Sequence, residues 1–176
     1  MSRLTDPQCH DDLLNFRLKR LFTLGGAPAI RLCEGQYGIS RMQWRLVAAL
    51  VEHGPMSPME VVQYTGIEQA RVSRQISELQ HKALVARRVA HEQGRRWELS
   101  ATQSGHELYV ALFPQLAAIN RRLMAALTED EALALELALD KLTVRAREVL
   151  LEGDGVPVKT ERRLGGSRRF WTSLRP

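Results

Sequence analysis

The sequence predicts a mainly α-helical fold with one small β-hairpin, and three observations lead to that prediction. Apolar residues recur every three or four positions along much of the chain, as Val72, Ile76 and Leu79 do, which is the spacing of a helix with one buried face. Strand-like runs occur where residues 84–90 and 95–99 flank a turn at 91–94. Gly, Pro and capping residues divide the helical remainder into several elements.

The composition is that of one globular domain with a basic surface. The 176 residues are 44% apolar, which is enough for a core, and the net charge of +5 with a pI near 9.7 favours polyanionic partners. No apolar run reaches the roughly 20 residues of a membrane span, and residues 1–12 lack the apolar stretch of a secretory signal. Two cysteines are too few for a disulfide framework. We therefore expect a cytoplasmic protein with no membrane partner.

Two helices are predicted before residue 55. The first begins near residue 11, and the GGAP segment at 25–28 should kink or break it, because Pro28 lacks an amide donor and crowds the preceding turn. We expect residues 35–38 to form a loop. Ser40 is placed to cap the second helix, whose buried face includes Trp44 and Val47.

Residues 57–81 predict a helix-turn-helix. Ser57 and Glu60 form a capping-box pattern, Pro58 suits the first helical position, and Gly66 suits the tight turn that follows. The next helix leaves polar side chains on most of its surface. With the hairpin behind it, this is the element order of a winged helix-turn-helix, which binds DNA. The alternative is an amphipathic helix beside an ordinary hairpin, with solvated charges.

The candidate DNA contacts are the polar side chains on the second helix of the helix-turn-helix and the arginines of the hairpin. Arg can form two hydrogen bonds with guanine and Gln can do so with adenine, whereas Arg in a wing can enter the minor groove or contact phosphates. The alternative role for some of these arginines is an ion pair on the helix face. The candidates are Gln69, Arg71, Ser73, Arg74 and Gln75 for the major groove and Arg95 and Arg96 for the wing.

Two long helices and a basic tail follow the hairpin. The first contains Pro114, which should bend it, and the second begins at the capping box of Thr128 and Glu131 and has apolar residues on more than one face. The extra face requires a partner, and a second copy of the chain is favoured over an intramolecular bundle. We expect dimerisation helices at 1–36 and 106–152, a winged helix-turn-helix DNA-binding domain at 37–105, and a mobile basic tail at 153–176.

The order of elements and several motifs resemble those of MarR/SlyA-type transcriptional regulators. Residues 39–47 (ISRMQWRLV) are similar to the family segment LTxxQWxVL, residues 72–85 to its recognition helix ending in LExKGLV, and residues 101–105 to the LTxxG after its wing. The resemblance covers residues 11–151. It departs from the family at Gln93, where an Asp usually braces the wing Arg, and at Ala83, which replaces a usual Gly.

The resemblance implies an obligate homodimer that represses genes by binding palindromic operator DNA and is released by a small aromatic acid. The family's crevice between dimerisation helices and winged domain would hold this effector, a hydroxylated benzoate or a nicotinate, with apolar rings and an Arg for its carboxylate. A packing role is the alternative for Trp44. The candidate lining residues are Tyr37, Met42, Trp44, Arg45, Arg87 and Arg20, with Arg17 as a further possibility.

Other functions have less support in the sequence. Cys9, beside His10 near the first helix, is placed like the thiol of peroxide-sensing relatives, but no Tyr lies near it in sequence. The basic tail is compatible with a ligand-independent architectural DNA binder. The five histidines show no metal-ligand spacing, and there is no phosphate loop or nucleophile elbow. We therefore expect no enzyme activity, no metal and no cofactor.

Overall fold

The computed structural model describes residues 1–66, 68–89 and 97–152, and it confirms a mainly helical fold with one antiparallel hairpin. After a short 3-10 helix at His10–Asp12, the elements are α1 Leu14–Tyr37, α2 Arg41–Glu52, α3 Pro58–Thr65, α4 Gln69–His81, β1 Val85–Val89, β2 Trp97–Ala101, α5 Gln103–Met124 and α6 Glu129–Leu151. None of the helices in these ranges is long and apolar enough to cross a membrane.

The capping boxes predicted at Ser57 and Thr128 are present, and the cap predicted at Ser40 is also a capping box. Ser40, Ser57 and Thr128 each accept a hydrogen bond from the backbone amide three residues on, and the side chain of that third residue accepts one from the cap's own amide. These reciprocal bonds satisfy amides that have no partner within the helix. Gly66 ends α3 in the left-handed conformation, with φ of 64°, as predicted for the helix-turn-helix.

Of the kink or break predicted at residues 25–28, the break is wrong, because α1 continues through Pro28 to Tyr37. A Cβ at Gly26 would overlap the Arg41 guanidinium, so this part of α1 is packed closely against α2. The predicted loop at 35–38 is the last turn of α1, and Gly38, with φ of 62°, ends the helix. Pro114 likewise lies inside a continuous α5.

The core has two parts that meet on α2. The larger part joins α2, α3, α4 and the hairpin into the winged helix-turn-helix, and its fully buried members include Leu46, Val61, Val72, Leu79 and Leu99. The smaller part joins α1, α2 and α5 around Cys33, Ile39, Trp44 and Leu112. Helix α2 therefore packs on the long helices with one face and on the helix-turn-helix with another.

The hairpin is joined to the body at both its base and its side. Val85 pairs with Ala101 and Val89 with Trp97, and Met56 exchanges two backbone hydrogen bonds with Leu99, at 3.0 and 2.8 Å. Ala83, between α4 and β1, has φ of 54°, which is the left-handed region that favours glycine.

Helix α6 differs from the others because none of its described residues is buried. Its apolar side chains fall on two opposite faces, with Leu133 and Leu137 on one and Leu135 and Leu139 on the other. Each of these four is at least 38% exposed. Exposed leucines on both sides of a 23-residue helix are typical of a segment that is covered by another chain.

Candidate DNA-reading face and effector crevice

Helix α4 presents a polar face to solvent. Val72, Ile76 and Leu79 are buried, whereas Gln69, Arg71, Ser73 and Arg74 are exposed. Within the described ranges, neither Arg71 nor Arg74 has a carboxylate at ion-pair distance. This face can therefore offer free guanidinium and amide donors to an anionic or polar surface.

Gln75 differs from the other α4 candidates because it is turned toward α2. It is half-buried, and its amide oxygen accepts a hydrogen bond of 3.3 Å from the Ser40 hydroxyl. One turn further on, Glu78 accepts a 2.6 Å hydrogen bond from the amide of Gln43. The first turn of α2 thus holds α4 at two positions.

Gln43 is a positioning residue that sequence reasoning missed. It is buried, it closes the capping box of Ser40, and its amide bridges to Glu78. Lys82 strengthens this junction by donating to the Gly38 carbonyl at 2.5 Å and to the Gln43 oxygen at 3.3 Å. The capping-box spacing was the available signal, but the bond to Glu78 joins residues 35 positions apart.

The wing carries a stacked cation. The Arg87 guanidinium lies over the Trp97 ring, 3.6 Å from its centroid, and such a contact between neighbouring strands holds both side chains in place. Arg87, a predicted effector residue, is therefore part of the wing in this structure. The predicted wing contacts Arg95 and Arg96 lie outside the described residues.

A crevice of about 440 Å³ lies where α1, α2 and α5 meet, and we refer to it as the α1–α2–α5 crevice. Apolar side chains of α1 and α5 form most of its wall, and α2 contributes an indole and two guanidinium groups. The lining residues are Leu21, Phe22, Gly25, Gly26, Ala29, Arg41, Trp44, Arg45, Leu116, Ile119, Asn120 and Leu123.

Arg41 is the principal polar group of the crevice, and sequence reasoning missed it. Its guanidinium stacks on Phe22, 4.1 Å from the ring centroid, and it packs against α1 where Gly26 has no side chain. It is half-buried, and no described carboxylate lies at ion-pair distance. A fixed, partly desolvated and unpaired guanidinium is suited to binding a carboxylate.

Trp44 combines packing with lining. Its side chain is 9% exposed and stacks on Tyr109 at a centroid distance of 5.5 Å, and Tyr109 stacks on Phe113 at 5.3 Å. The Tyr109 hydroxyl donates a 2.7 Å hydrogen bond to Glu52. Burial, followed by this bond to a carboxylate, raises the pKa of Tyr109 to about 12. The packing role considered for Trp44 is thus present, and the same indole borders the crevice.

Arg45 lines the crevice and also contacts the helix-turn-helix, since one of its terminal nitrogens, Nη2, donates a 2.6 Å hydrogen bond to the Thr65 carbonyl. Of the six predicted effector residues, the structure brings Trp44 and Arg45 together in this crevice. Tyr37 instead joins α1 to α5 by donating to the Ala111 carbonyl.

The other three predicted effector residues lie elsewhere. Met42 packs beside the winged-helix core and borders a neighbouring cavity, and Arg20 is exposed on α1. Arg87 is in the wing, as described above. Arg17, the further possibility, is also exposed on α1 and does not line the crevice.

Neither described cysteine forms a disulfide. Cys9 is exposed and its thiol lies 3.4 Å from the Asp12 carboxylate, to which it donates. Burial raises the pKa of Cys33. Within the described ranges, no group of three or more His, Cys, Asp or Glu side chains could hold a metal ion.

The sequence is similar to those of known proteins in two comparisons. Residues 37–96 match the sequence model of the MarR family. The HTH-type transcriptional repressor NicR of Pseudomonas putida is 27% identical over 110 residues, which are 62% of this chain and 68% of NicR.

Two solved structures that share this fold are a complex with DNA and a protein whose DNA binding is regulated by a small acid. The Staphylococcus aureus MepR–DNA complex is 19% identical, with a TM-score of 0.69 over 78% of this chain and 99% of that one. Bordetella bronchiseptica BpsR, whose DNA binding is regulated by 6-hydroxynicotinic acid, is 23% identical, with a TM-score of 0.69 over 78% of this chain and 97% of that one.

Proposed function

We propose that the chain is a homodimeric, sequence-specific DNA-binding repressor of the MarR type. Residues 37–96 match the MarR family model, and both NicR and the solved MarR/EmrR structure from Acinetobacter are transcriptional regulators, which supports this proposal. In this proposal, it binds a palindromic operator and leaves it when a small aromatic acid binds. NicR is a transcriptional repressor, which supports repression, and MepR is solved in complex with DNA, which supports DNA binding.

The exposed face of α4 would read the operator. Arg71 and Arg74 would supply guanidinium groups, and Gln69 and Ser73 would supply shorter polar groups from the same surface. Gln75 would contribute through its amide NH₂, because its oxygen is engaged by Ser40. Arg95 and Arg96 stay proposed wing contacts.

Helices α1, α5 and α6 would form the dimer. The doubly apolar α6 supports an intermolecular partner and gives no support to an intramolecular bundle, since none of its described side chains is buried by the rest of the described chain. A two-fold dimer places two α4 helices one DNA turn apart, about 34 Å. We accordingly propose residues 1–36 and 106–152 as the dimerisation part and 37–105 as the DNA-binding part.

The single observation that carries the effector proposal is the unpaired guanidinium of Arg41 in the α1–α2–α5 crevice. A carboxylate would bind Arg41, and an aromatic ring would lie between the apolar wall and Trp44. BpsR responds to 6-hydroxynicotinic acid, so a hydroxylated nicotinate or benzoate is the ligand class that we propose.

The test is a titration of the protein onto the DNA upstream of its own gene and onto scrambled DNA of equal length, at two salt concentrations. A tight complex on the native DNA that persists at physiological salt, and that 6-hydroxynicotinate or a hydroxybenzoate dissociates, is expected. Equal and steeply salt-dependent binding to both DNAs would instead indicate an architectural binder held by phosphate contacts. Release by peroxide that Cys9→Ser abolishes would replace the acid with a thiol sensor.

A further inference from the structure

Helix α2 lies between the α1–α2–α5 crevice and the helix-turn-helix, and one of its side chains has contacts on both sides. Arg45 lines the crevice and also lines a second cavity of about 370 Å³, together with Thr65. Among the described crevice residues, it is the one that also forms a hydrogen bond to the helix-turn-helix. Arg41, the other crevice cation, has no such bond in the described part of the chain.

The acceptor of this bond lies at a sensitive point of the helix-turn-helix. Thr65 is the last residue of α3, Gly66 makes the left-handed turn, and α4 begins three residues later at Gln69. The last carbonyls of a helix have no donor within the helix. Arg45 supplies such a donor for Thr65, and therefore holds the turn that sets the direction of α4.

We propose that Arg45 is a positioning residue that couples occupancy of the crevice to the helix-turn-helix. A carboxylate bound in the crevice takes the Arg45 guanidinium from the Thr65 carbonyl, and the turn before α4 then loses its support. This proposal rests on the proposed function, because it assigns a step to the release of DNA by an aromatic acid.

The chemistry favours the exchange of partners. A guanidinium–carboxylate pair is charge-assisted and can be bidentate, whereas the present bond joins one N–H to a neutral carbonyl. An acid therefore binds more tightly to the state in which Arg45 has left Thr65, and a ligand shifts an equilibrium only by such a difference in affinity. Arg41 and the apolar wall bind equally in both states, so they contribute affinity but no release.

The experiment compares Arg45→Gln and Arg45→Lys with Arg31→Gln, a matched change at an exposed arginine of α1 outside the crevice. The first measurement uses the free protein, so it needs neither operator nor effector. In Arg45→Gln, amide hydrogen exchange at residues 62–66 should be about fivefold faster or more, because one hydrogen bond to a charged donor is lost. Arg45→Lys keeps a charged donor on a side chain of similar length, which the shorter and neutral glutamine does not, and should restore most of the protection.

The second measurement is the factor by which saturating 6-hydroxynicotinate weakens binding to the native upstream DNA. Arg45→Gln should weaken DNA binding by about fivefold without acid, and the acid should then weaken it little further. A merely structural role would lower affinity with and without acid by the same factor, leaving the ratio of the two dissociation constants as in wild type.

The outcomes separate the two proposals. Wild-type protein that binds DNA and is not released by saturating acid contradicts the effector proposal and the coupling together. Absence of specific DNA binding contradicts the proposed function and the release step that rests on it, but the exchange measurement still decides whether Arg45 positions the helix-turn-helix. Unchanged exchange at 62–66 in Arg45→Gln overturns the positioning role, even if the protein is an acid-released repressor. An unchanged ratio of dissociation constants overturns the coupling.

Discussion

Replacing Ala83 with Gly should stabilise the protein, because Ala83 has a backbone conformation that L-residues adopt at a cost. Its φ of 54° places the Cβ close to the following carbonyl, which costs about 1–2 kcal/mol in the left-handed region. Gly removes that cost but gains freedom in the unfolded chain, which takes back about 0.4–1 kcal/mol. The free energy of unfolding should therefore rise by about 0.5–1 kcal/mol.

Urea denaturation at fixed protein concentration measures this difference in the free energy of unfolding. The slope of that free energy against urea concentration should be the same in the variant and in wild type, which checks that the two unfolded states are comparable. For a chain of this size, the midpoint of thermal unfolding should rise by about 1–4 °C. Ala86→Gly, in the extended β1 strand nearby, is the matched control and should be destabilising. A lower stability of Ala83→Gly would refute the assignment of strain to the end of α4.

Three further variants test the site and the assembly. Arg74→Ala should weaken specific DNA binding by about 10-fold or more, as expected for loss of a guanidinium that reads a base, and the dimer should be unchanged in sedimentation. If the variant bound the native DNA as tightly as wild type, the assignment of Arg74 as a DNA contact would be wrong. Gly26→Ala should displace the Arg41 guanidinium and weaken acid binding by about tenfold in calorimetry. Unwinding of α1 would not explain this loss, because Ala favours the helix over Gly by about 1 kcal/mol. Unchanged acid binding would show that the carboxylate binds elsewhere. Leu137→Asp changes a side chain that is 52% exposed in the single chain, so a folded monomer in sedimentation is expected, and an intact dimer would show that this face of α6 is not in the interface.

Features that depend on near neighbours in sequence were predictable. The capping boxes at Ser40, Ser57 and Thr128 need only a cap and a residue three positions later, and all three are present. The buried stripe of α4 follows from helical spacing alone. The winged helix-turn-helix could be predicted because it is a short sequence of such local elements.

Features that depend on contacts between distant residues were not predictable. Pro28 is a helix breaker by local rules, but the packing of α1 against Arg41 at Gly26 keeps the helix continuous. The importance of Arg41 depends on Phe22 and Gly26 in another helix. The hydrogen bond from Arg45 to the Thr65 carbonyl joins residues 20 positions apart, and a backbone acceptor has no signature in the side-chain sequence.

If α6 forms the proposed dimer interface, the state of this protein depends on its concentration. An isolated helix gains little stability from its own hydrogen bonds, so the order of α6 and the association of two chains form one equilibrium governed by mass action. When dimers dissociate on dilution, the amount of DNA-binding species falls with the square of the free monomer concentration. Where most chains are monomeric and the operator is far from saturated, halving the amount of the proposed repressor would lower operator occupancy by more than half. The abundance of the protein would then itself be a control variable.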